Sequence, residues 1–151
     1  MDKSVIRADE ALEISNEVSV LTSGISMRPM LREHKDIAVI ERVNRKLVKH
    51  DVPLYKRAGC DKLVLHRIIK VTDNGYVIRG DNLCSNEYNV TDEDIVGVLK
   101  AFYRNGKYYD CATSKIYHIY IYLNRLGYPI RFLWRVKIKP FLAKIKHLIF
   151  K

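Results

Sequence analysis

Hydrophobic and polar positions follow two different periods along this chain of 151 residues. Residues 8–22 carry apolar side chains at an approximately helical spacing, which predicts a short amphipathic helix near the N-terminus. From residue 35 to residue 110 the sequence consists of short runs rich in branched and aromatic residues, separated by polar turns. Such runs predict strands, here IAVIERV, VPLYKR, KLVLHRIIKV, YVIRG, IVGVLKAFY and KYYD.

Two Asn-Gly pairs predict tight hairpins between these runs, because both residues tolerate the positive φ that such turns need. Asn74-Gly75 separates HRIIKVTD from YVIRGDN, and Asn105-Gly106 separates LKAFYR from KYYD. If residues 74 and 75 form a two-residue turn, His66 lies opposite position 83 and Asp81 lies diagonally near it. The body is therefore predicted to be a small, largely antiparallel β domain.

The period of the hydrophobic positions becomes longer again after residue 112. The segment KIYHIYIYLNRLGY predicts a helix or a strand that Gly127 and Pro129 end. Beyond Pro140, one helical face is apolar and the rest is basic, which predicts an amphipathic helix. The predicted fold is mainly β (α+β), an antiparallel β-sheet core with a short N-terminal helix and a basic amphipathic C-terminal tail. Residues 1–112 form the domain, and residues 113–151 form the tail.

Charge is unevenly distributed over these two parts. The chain has 27 Lys/Arg and 17 Asp/Glu, for a net charge of +10, yet residues 113–151 contain nine Lys/Arg and no Asp/Glu. The body is almost neutral. Because the excess positive charge is confined to one terminal segment, the sequence argues against a globally basic nucleic-acid-binding domain.

Cysteine usage and the ends of the chain exclude further classes. Cys60, Cys84 and Cys111 are an odd number without a CxxC pair, which argues against a disulfide framework and a structural zinc site. We expect no cofactor and no metal ion. The polar N-terminus lacks the apolar region of a secretory signal, and no stretch of 18 apolar residues predicts a transmembrane helix.

Three segments carry residues suited to nucleophilic catalysis. Ser26 lies in SGISMRPML, a predicted turn just before a strand, and a serine hydroxyl needs a base and oxyanion donors to attack a carbonyl. His66 lies in an apolar run, where partial desolvation favours the neutral imidazole that a general base requires. Asp81 in RGDN is a candidate to orient that imidazole.

In this order, the segments resemble the serine peptidase superfamily that contains type I signal peptidases and LexA-like repressors. SGISMRPML resembles its Ser-Met-x-Pro-x-Leu box, LVLHRIIKV resembles the general-base strand, and GDN followed by IVGVL resembles the closing strands. The resemblance covers about residues 20–103. His66-Arg67 matches the His-Arg of the endoplasmic-reticulum, archaeal and sporulation-type enzymes, whereas bacterial type I signal peptidases and LexA-like proteins have Lys-Arg.

The resemblance implies a signal-peptidase/LexA-like fold and a serine endopeptidase that cleaves leader or signal peptides after small residues. Ser26 would be the nucleophile with its backbone N–H as an oxyanion donor, His66 the base and Asp81 its acidic partner. Glu87 stands six positions after Asp81, where the endoplasmic-reticulum enzymes carry a second acidic residue. The substrate would bind as an added β-strand, with small residues at the first and third positions before the cut.

Alternatives remain open at this point. Lys62 or Lys70 could act as a lysine base, and His66, Asp81 and Glu87 could ligate a metal. The fold could also serve as a non-catalytic module that binds a peptide or partner at the membrane.

The tail could pack on the body, bind nucleic acid or lie in a membrane interface. Aromatic side chains among Arg and Lys, such as Trp134, Phe141 and Phe150, favour peripheral membrane contact through residues 129–151, at the cytoplasmic face. Nucleic acid is the weaker candidate.

Overall fold

Two antiparallel sheets form the body in the computed structural model, which describes residues 7–57, 59 and 62–149. The strands are β1 (Glu17–Leu21), β2 (Ile37–Glu41), β3 (Pro53–Lys56), β4 (Leu63–Leu65), β5 (Arg67–Thr72), β6 (Gly75–Arg79), β7 (Glu87–Val90), β8 (Ile95–Arg104) and β9 (Lys107–Asp110). The helices are α1 (Ala8–Ile14), α2 (Lys115–Phe132) and α3 (Lys139–Ile149), with a π-helical segment (Leu133–Ile138) between α2 and α3. The predicted α+β class is confirmed.

The larger sheet has the order β1-β2-β8-β3-β4, with β9 beside β8. The long strand β8 is its centre, because it pairs with β2 on one side and with both β3 and β9 on the other. Strands β1 and β4 are the edge strands at the two ends of this order. The smaller sheet has the order β5-β6-β7.

Two buried apolar clusters hold these elements together. The first joins α1, β2 and β8 with the loop before β2, through side chains such as Leu12, Ile40 and Phe102. The second joins the two sheets through Tyr55, Ile68 and their neighbours. Both clusters therefore fix the segments that lead into the candidate site.

The N-terminal helix is shorter than predicted. It ends at Ile14, and residues 17–21 form strand β1, which pairs with β2. Val18 and Val20 are half-buried while their neighbours along the strand are exposed, which is the two-residue period of a strand. The predicted helix was wrong beyond Ile14, because pairing with β2 satisfies the backbone hydrogen bonds of these β-branched residues.

The predicted hairpin register was wrong by one residue at the first Asn-Gly pair. Thr72 pairs with Gly75, so the turn residues are Asp73 and Asn74, and a further irregularity follows between Ile68 and Lys70. The predicted run KLVLHRIIKV is interrupted at His66, where the chain passes from β4 in one sheet to β5 in the other.

The second hairpin is confirmed, with Arg104 paired to Lys107 across Asn105 and Gly106, which both have positive φ. Strand β7 was not predicted.

The C-terminal segment stays helical through the residues at which the sequence predicted its end. Helix α2 passes through Gly127 and Pro129 and continues into the π-helical segment and α3. The predicted end was wrong, although Pro129 cannot donate the hydrogen bond to the carbonyl four residues earlier. Tertiary contacts on both sides of Pro129, described below, outweigh that loss.

Parts of the earlier predictions fall beyond what the structure covers. Cys60, Phe150 and Lys151 lie outside the described residues, as do the side chains of residues 146–149. Within the described part of the chain, no helix has the length and apolar character needed to cross a membrane.

Candidate active site

Ser26 lies half-buried in the loop between β1 and β2. The hydroxyl of Thr22 closes the base of this loop by donating to the carbonyls of Arg32 and Asp36, at 2.7 and 2.9 Å. The Met27 side chain is buried in the first core cluster. The neighbours of Ser26 are thereby anchored, and the serine is held at the surface of a cleft.

His66 occupies the crossing between the two sheets and is 3% exposed. A Cβ atom built on Gly80 would lie 3.0 Å from Nε2 of His66 and 3.0 Å from Cβ of Ser26. Both side chains therefore lie against Gly80, and Nε2 of His66 and Cβ of Ser26 are separated by at most twice that distance. Ser26 and His66 can come this close because the residue at position 80 has no side chain.

The serine hydroxyl and the imidazole are neighbours without being bonded. Among the contacts of the described residues there is no hydrogen bond between them. Catalytic hydrogen bonds often tighten only in the complex.

Glu87 is the carboxylate that meets the imidazole. Its Oε1 lies 3.1 Å from Nδ1 of His66, and its Oε2 accepts a hydrogen bond from the hydroxyl of Tyr55 at 2.9 Å. Arg57 donates to both oxygens, at 2.5 and 3.0 Å. When Nδ1 carries its hydrogen toward Glu87, Nε2 has a free lone pair. Nε2 can then accept a proton on the side of Ser26.

These surroundings set the charge of both groups. Burial lowers the pKa of His66 below its ordinary value, and the negative charge of Glu87 opposes this only in part. Burial also raises the pKa of Glu87, but hydrogen bonds from Arg57 and Tyr55 outweigh it and leave that pKa below its usual value. A neutral imidazole therefore faces an ionised carboxylate at neutral pH.

Asp81 has a different partner from the predicted one. Its oxygens accept hydrogen bonds from Nε and NH2 of Arg67, at 2.8 and 2.7 Å, and from the hydroxyl of Tyr120 at 3.0 Å. Arg67 and Asp81 are both buried, and this ion pair raises the pKa of Arg67 against the effect of burial. The predicted contact between Asp81 and His66 was wrong because the chain changes sheets at His66, which places Arg67 beside the turn.

The alternative bases and ligands are arranged less favourably. Lys62 and Lys70 are exposed and belong to segments on either side of the crossing at His66, so they do not lie on one continuous strand with it. Among the described residues, no group of three His, Cys, Asp or Glu side chains is arranged to hold a metal ion.

A cleft of about 740 Å³ opens beside Ser26 and His66. Its walls come from the two edges of the larger sheet, and its lining is mostly apolar: Val20 and Leu21 from β1, Leu63 to Leu65 from β4, and Ala38, Ile40 and Leu54 between them. Edge strands carry unpaired backbone N–H and C=O groups. The cleft can therefore supply hydrogen-bond partners, close to the serine, to the backbone of an extended peptide.

The C-terminal helix exposes a row of apolar side chains. Ile116, Ile119, Leu126 and Ile130 are 65%, 57%, 55% and 73% exposed, and their spacing puts them on one side of α2. We call these four residues the outer face. Trp134, Phe141 and Leu142 continue the exposed apolar surface, which thus begins before the predicted membrane segment 129–151.

Comparison with known proteins gives no relative to this chain: no family model, curated protein or solved structure matches it.

The structure brings Ser26, His66 and Glu87 together, and the sequence analysis did not name Tyr55, Arg57 and Tyr120. No spacing signal marks these three, because they reach the site only through pairing between strands and packing of α2.

Proposed function

We propose that this protein is a serine endopeptidase of the signal-peptidase type, related to the enzymes whose base strand reads His-Arg. It cleaves leader or signal peptides after small residues through an acyl-enzyme at Ser26. The observation that carries the proposal is that Ser26 and Nε2 of His66 both lie against Gly80, with Glu87 at Nδ1 of His66.

In the proposed reaction, Nε2 of His66 takes the proton of the Ser26 hydroxyl as its oxygen attacks the carbonyl carbon of the scissile bond. Glu87 accepts the hydrogen bond from Nδ1 and stabilises the imidazolium. The backbone N–H of Ser26 donates to the oxyanion. Nε2 then gives the proton to the leaving amine, and a water activated by the same imidazole hydrolyses the acyl-enzyme.

The cleft supports a peptide substrate. An extended chain between β1 and β4 can pair with both edges, while its side chains meet the apolar lining. The preference for small residues at the first and third positions before the cut comes from the family resemblance, and the apolar lining is compatible with it.

The same proposal places the protein at the cytoplasmic face of an anionic membrane, bound peripherally through residues 129–151 and the outer face of α2. Exposed apolar side chains together with nine Lys/Arg and no Asp/Glu in residues 113–151 support this location.

The proposal is tested with a p-nitrophenyl ester of an N-acyl-alanine, by following p-nitrophenolate release and the intact mass of the full chain. We expect an acyl-enzyme that forms on Ser26, and a loss of kcat of at least about a thousandfold in Ser26→Ala and in His66→Ala. Ser85→Ala, which alters an exposed serine, should behave as wild type.

A peptide with Ala at the first and third positions before one bond then tests the specificity. Equal rates in wild type and Ser26→Ala would reject the peptidase and favour the peptide-binding module.

A further inference from the structure

One side of the C-terminal helix lies against the segment that follows β6. Tyr120 and Tyr128 of α2 and Arg135 of the π-helical segment make contacts there, and Tyr117 of α2 contacts Arg67 of β5. Because all four side chains contact the body, they lie on one side of this continuous helical segment. We call these four residues the inner face, and it lies opposite the outer face.

The first contact is with the buried ion pair. The hydroxyl of Tyr120 donates to Oδ2 of Asp81 at 3.0 Å, and the hydroxyl of Tyr117 accepts from NH1 of Arg67 at 2.9 Å. Burial, followed by the charge of Asp81, raises the pKa of Tyr120, so this hydroxyl stays protonated and remains a donor. Asp81 is thus held from β5 and from α2 at once.

The second contact is with the two ends of the Gly80–Leu83 turn, which the N–H of Leu83 closes by donating to the carbonyl of Gly80. The Tyr128 hydroxyl donates to the carbonyl of Cys84 at 3.3 Å. The guanidinium carbon of Arg79 lies 3.5 Å from the centre of the Tyr128 ring. Residues immediately before and after the turn are therefore packed on a single side chain of α2.

The third contact reaches the backbone of the nucleophile. Arg135 donates to the carbonyl of Asn82 and, at 2.9 Å, to its Oδ1. Asn82 in turn donates from its backbone N–H to the carbonyl of Ser26 at 2.7 Å and from its Nδ2 to the carbonyl of Ile25 at 3.1 Å. Hydrogen bonds thus run without a break from the tail to Ser26.

We propose that the C-terminal helix is part of the catalytic apparatus, with Tyr120 and Arg135 as positioning residues. They hold the Gly80–Leu83 turn, and through Asn82 the backbone of Ser26, at the distance from His66 that proton transfer requires. This inference rests on the proposed peptidase function and extends it, because it assigns a role in the reaction to a tail that the family resemblance does not cover.

The geometry at Gly80 explains why small displacements matter. Gly80 packs against both Ser26 and Nε2 of His66, so a shift of the turn that contains it changes the distance between nucleophile and base. Misplacements on the ångström scale can reduce rates by about a hundredfold. The contacts of Arg135 are exposed, and we therefore expect a smaller effect from its loss.

The experiment compares Arg135→Gln and Tyr120→Phe in the full chain, using the alanine ester described above. We expect kcat to fall about threefold to tenfold in each variant, with KM unchanged. Arg135→Lys keeps the charge but loses the paired donors, so it should restore only part of the rate.

Arg131→Gln is the matched control. Arg131 lies one turn earlier, carries the same charge and donates to Asn124 within α2. It should leave kcat unchanged. Equal kcat values in Arg135→Gln, Tyr120→Phe and Arg131→Gln would overturn the inference.

Hydrogen–deuterium exchange separates this inference from the proposed function. The peptide that contains residues 79–84 should exchange faster in Arg135→Gln than in Arg131→Gln, whether or not the ester is turned over. Faster exchange in a chain that never acylates Ser26 would reject the peptidase and retain the contact between tail and turn. Equal exchange in the two variants would reject the positioning role itself.

Discussion

Gly80 carries a hydrogen atom at the position where any other residue has its Cβ atom. A Cβ there would lie 2.8 Å from the carbonyl oxygen of Ser26 and 3.0 Å from Nε2 of His66. We predict that Gly80→Ala forces the nucleophile and the base apart and lowers kcat for the alanine ester by about a hundredfold. Circular dichroism should show a folded protein.

Gly127→Ala provides the control for that substitution. Gly127 lies in α2, and a Cβ built on it has no atom within 4 Å. The rate should stay at the wild-type value, and the free energy of unfolding should rise by about 0.4 to 1 kcal/mol because alanine favours a helix. Full activity in Gly80→Ala would contradict the placement of Ser26 and His66.

The titration of His66 predicts the pH dependence. Because burial lowers its pKa, the imidazole stays neutral to a more acidic pH than a free histidine, and kcat should fall only below about pH 6.5. In Glu87→Gln the negative charge that opposes this shift is lost, so the midpoint should move to still lower pH. The plateau rate should drop at least about a hundredfold.

Rates measured from acidic to neutral pH test both statements. An unchanged midpoint or an upward shift in Glu87→Gln would show that Glu87 does not face the imidazole. A wild-type midpoint above that of free histidine would show that burial does not dominate the pKa of His66.

Residue chemistry alone led to Ser26 and His66, because a serine in a turn and a histidine in an apolar run each suit a stated role. It did not lead to the right partner for the imidazole. Asp81 is closer in sequence, yet Glu87 reaches Nδ1 because it lies on β7, a strand whose polar sequence EYNV gave no signal. The partner of a base depends on strand pairing that a single sequence does not encode locally.

Among the elements, β5, the Gly80–Leu83 turn and α2 meet at the buried pair of Arg67 and Asp81. We predict that Asp81→Asn lowers the free energy of unfolding by about 3 to 5 kcal/mol, because it leaves Arg67 buried without a counter-charge. Chemical denaturation measures this loss directly.

The double variant Arg67→Met with Asp81→Leu separates charge from packing. Replacing a buried ion pair by apolar side chains of similar volume is often close to neutral, so most of the stability should return. A single Asp81→Asn variant as stable as wild type would show that the pair is hydrated rather than buried.

The strands with alternating or apolar runs, such as β2 and β8, were predictable from sequence, since their side chains follow a two-residue period or fill the core. The errors at α1 and Pro129 have one physical origin. Val18 lies on a helical period by chance but pairs in a strand, and Pro129 stays in a helix because Tyr128 is held by Cys84 and Arg79. Tertiary contacts override local preference in both places.

In the molecule as a whole, a nearly neutral body is joined to a basic tail whose outer face is apolar. We predict that the full chain binds vesicles of phosphatidylglycerol more tightly than vesicles of phosphatidylcholine, and that added salt weakens this binding. Changing Ile119, Leu126 and Ile130 together to Gln should reduce binding at least about tenfold, because each side chain loses apolar burial in the interface.

The control changes exposed apolar residues of the body. Val48 and Val71 are 56% and 45% exposed, and their replacement by Gln should leave vesicle binding unchanged. Sedimentation with vesicles measures all variants. If the wild-type chain stays in the supernatant and forms dimers that the triple variant abolishes, the outer face binds a second copy instead of lipid.

The two faces of α2 have a practical consequence for making the protein. Cutting the chain before Lys115 would remove Tyr120 and Arg135 along with the apolar outer face, and it would uncover Arg67. Replacing the outward side chains by Glu or Gln keeps every tyrosine that touches the body. A detergent-free preparation for crystallisation is therefore better reached by redesigning that surface than by truncation.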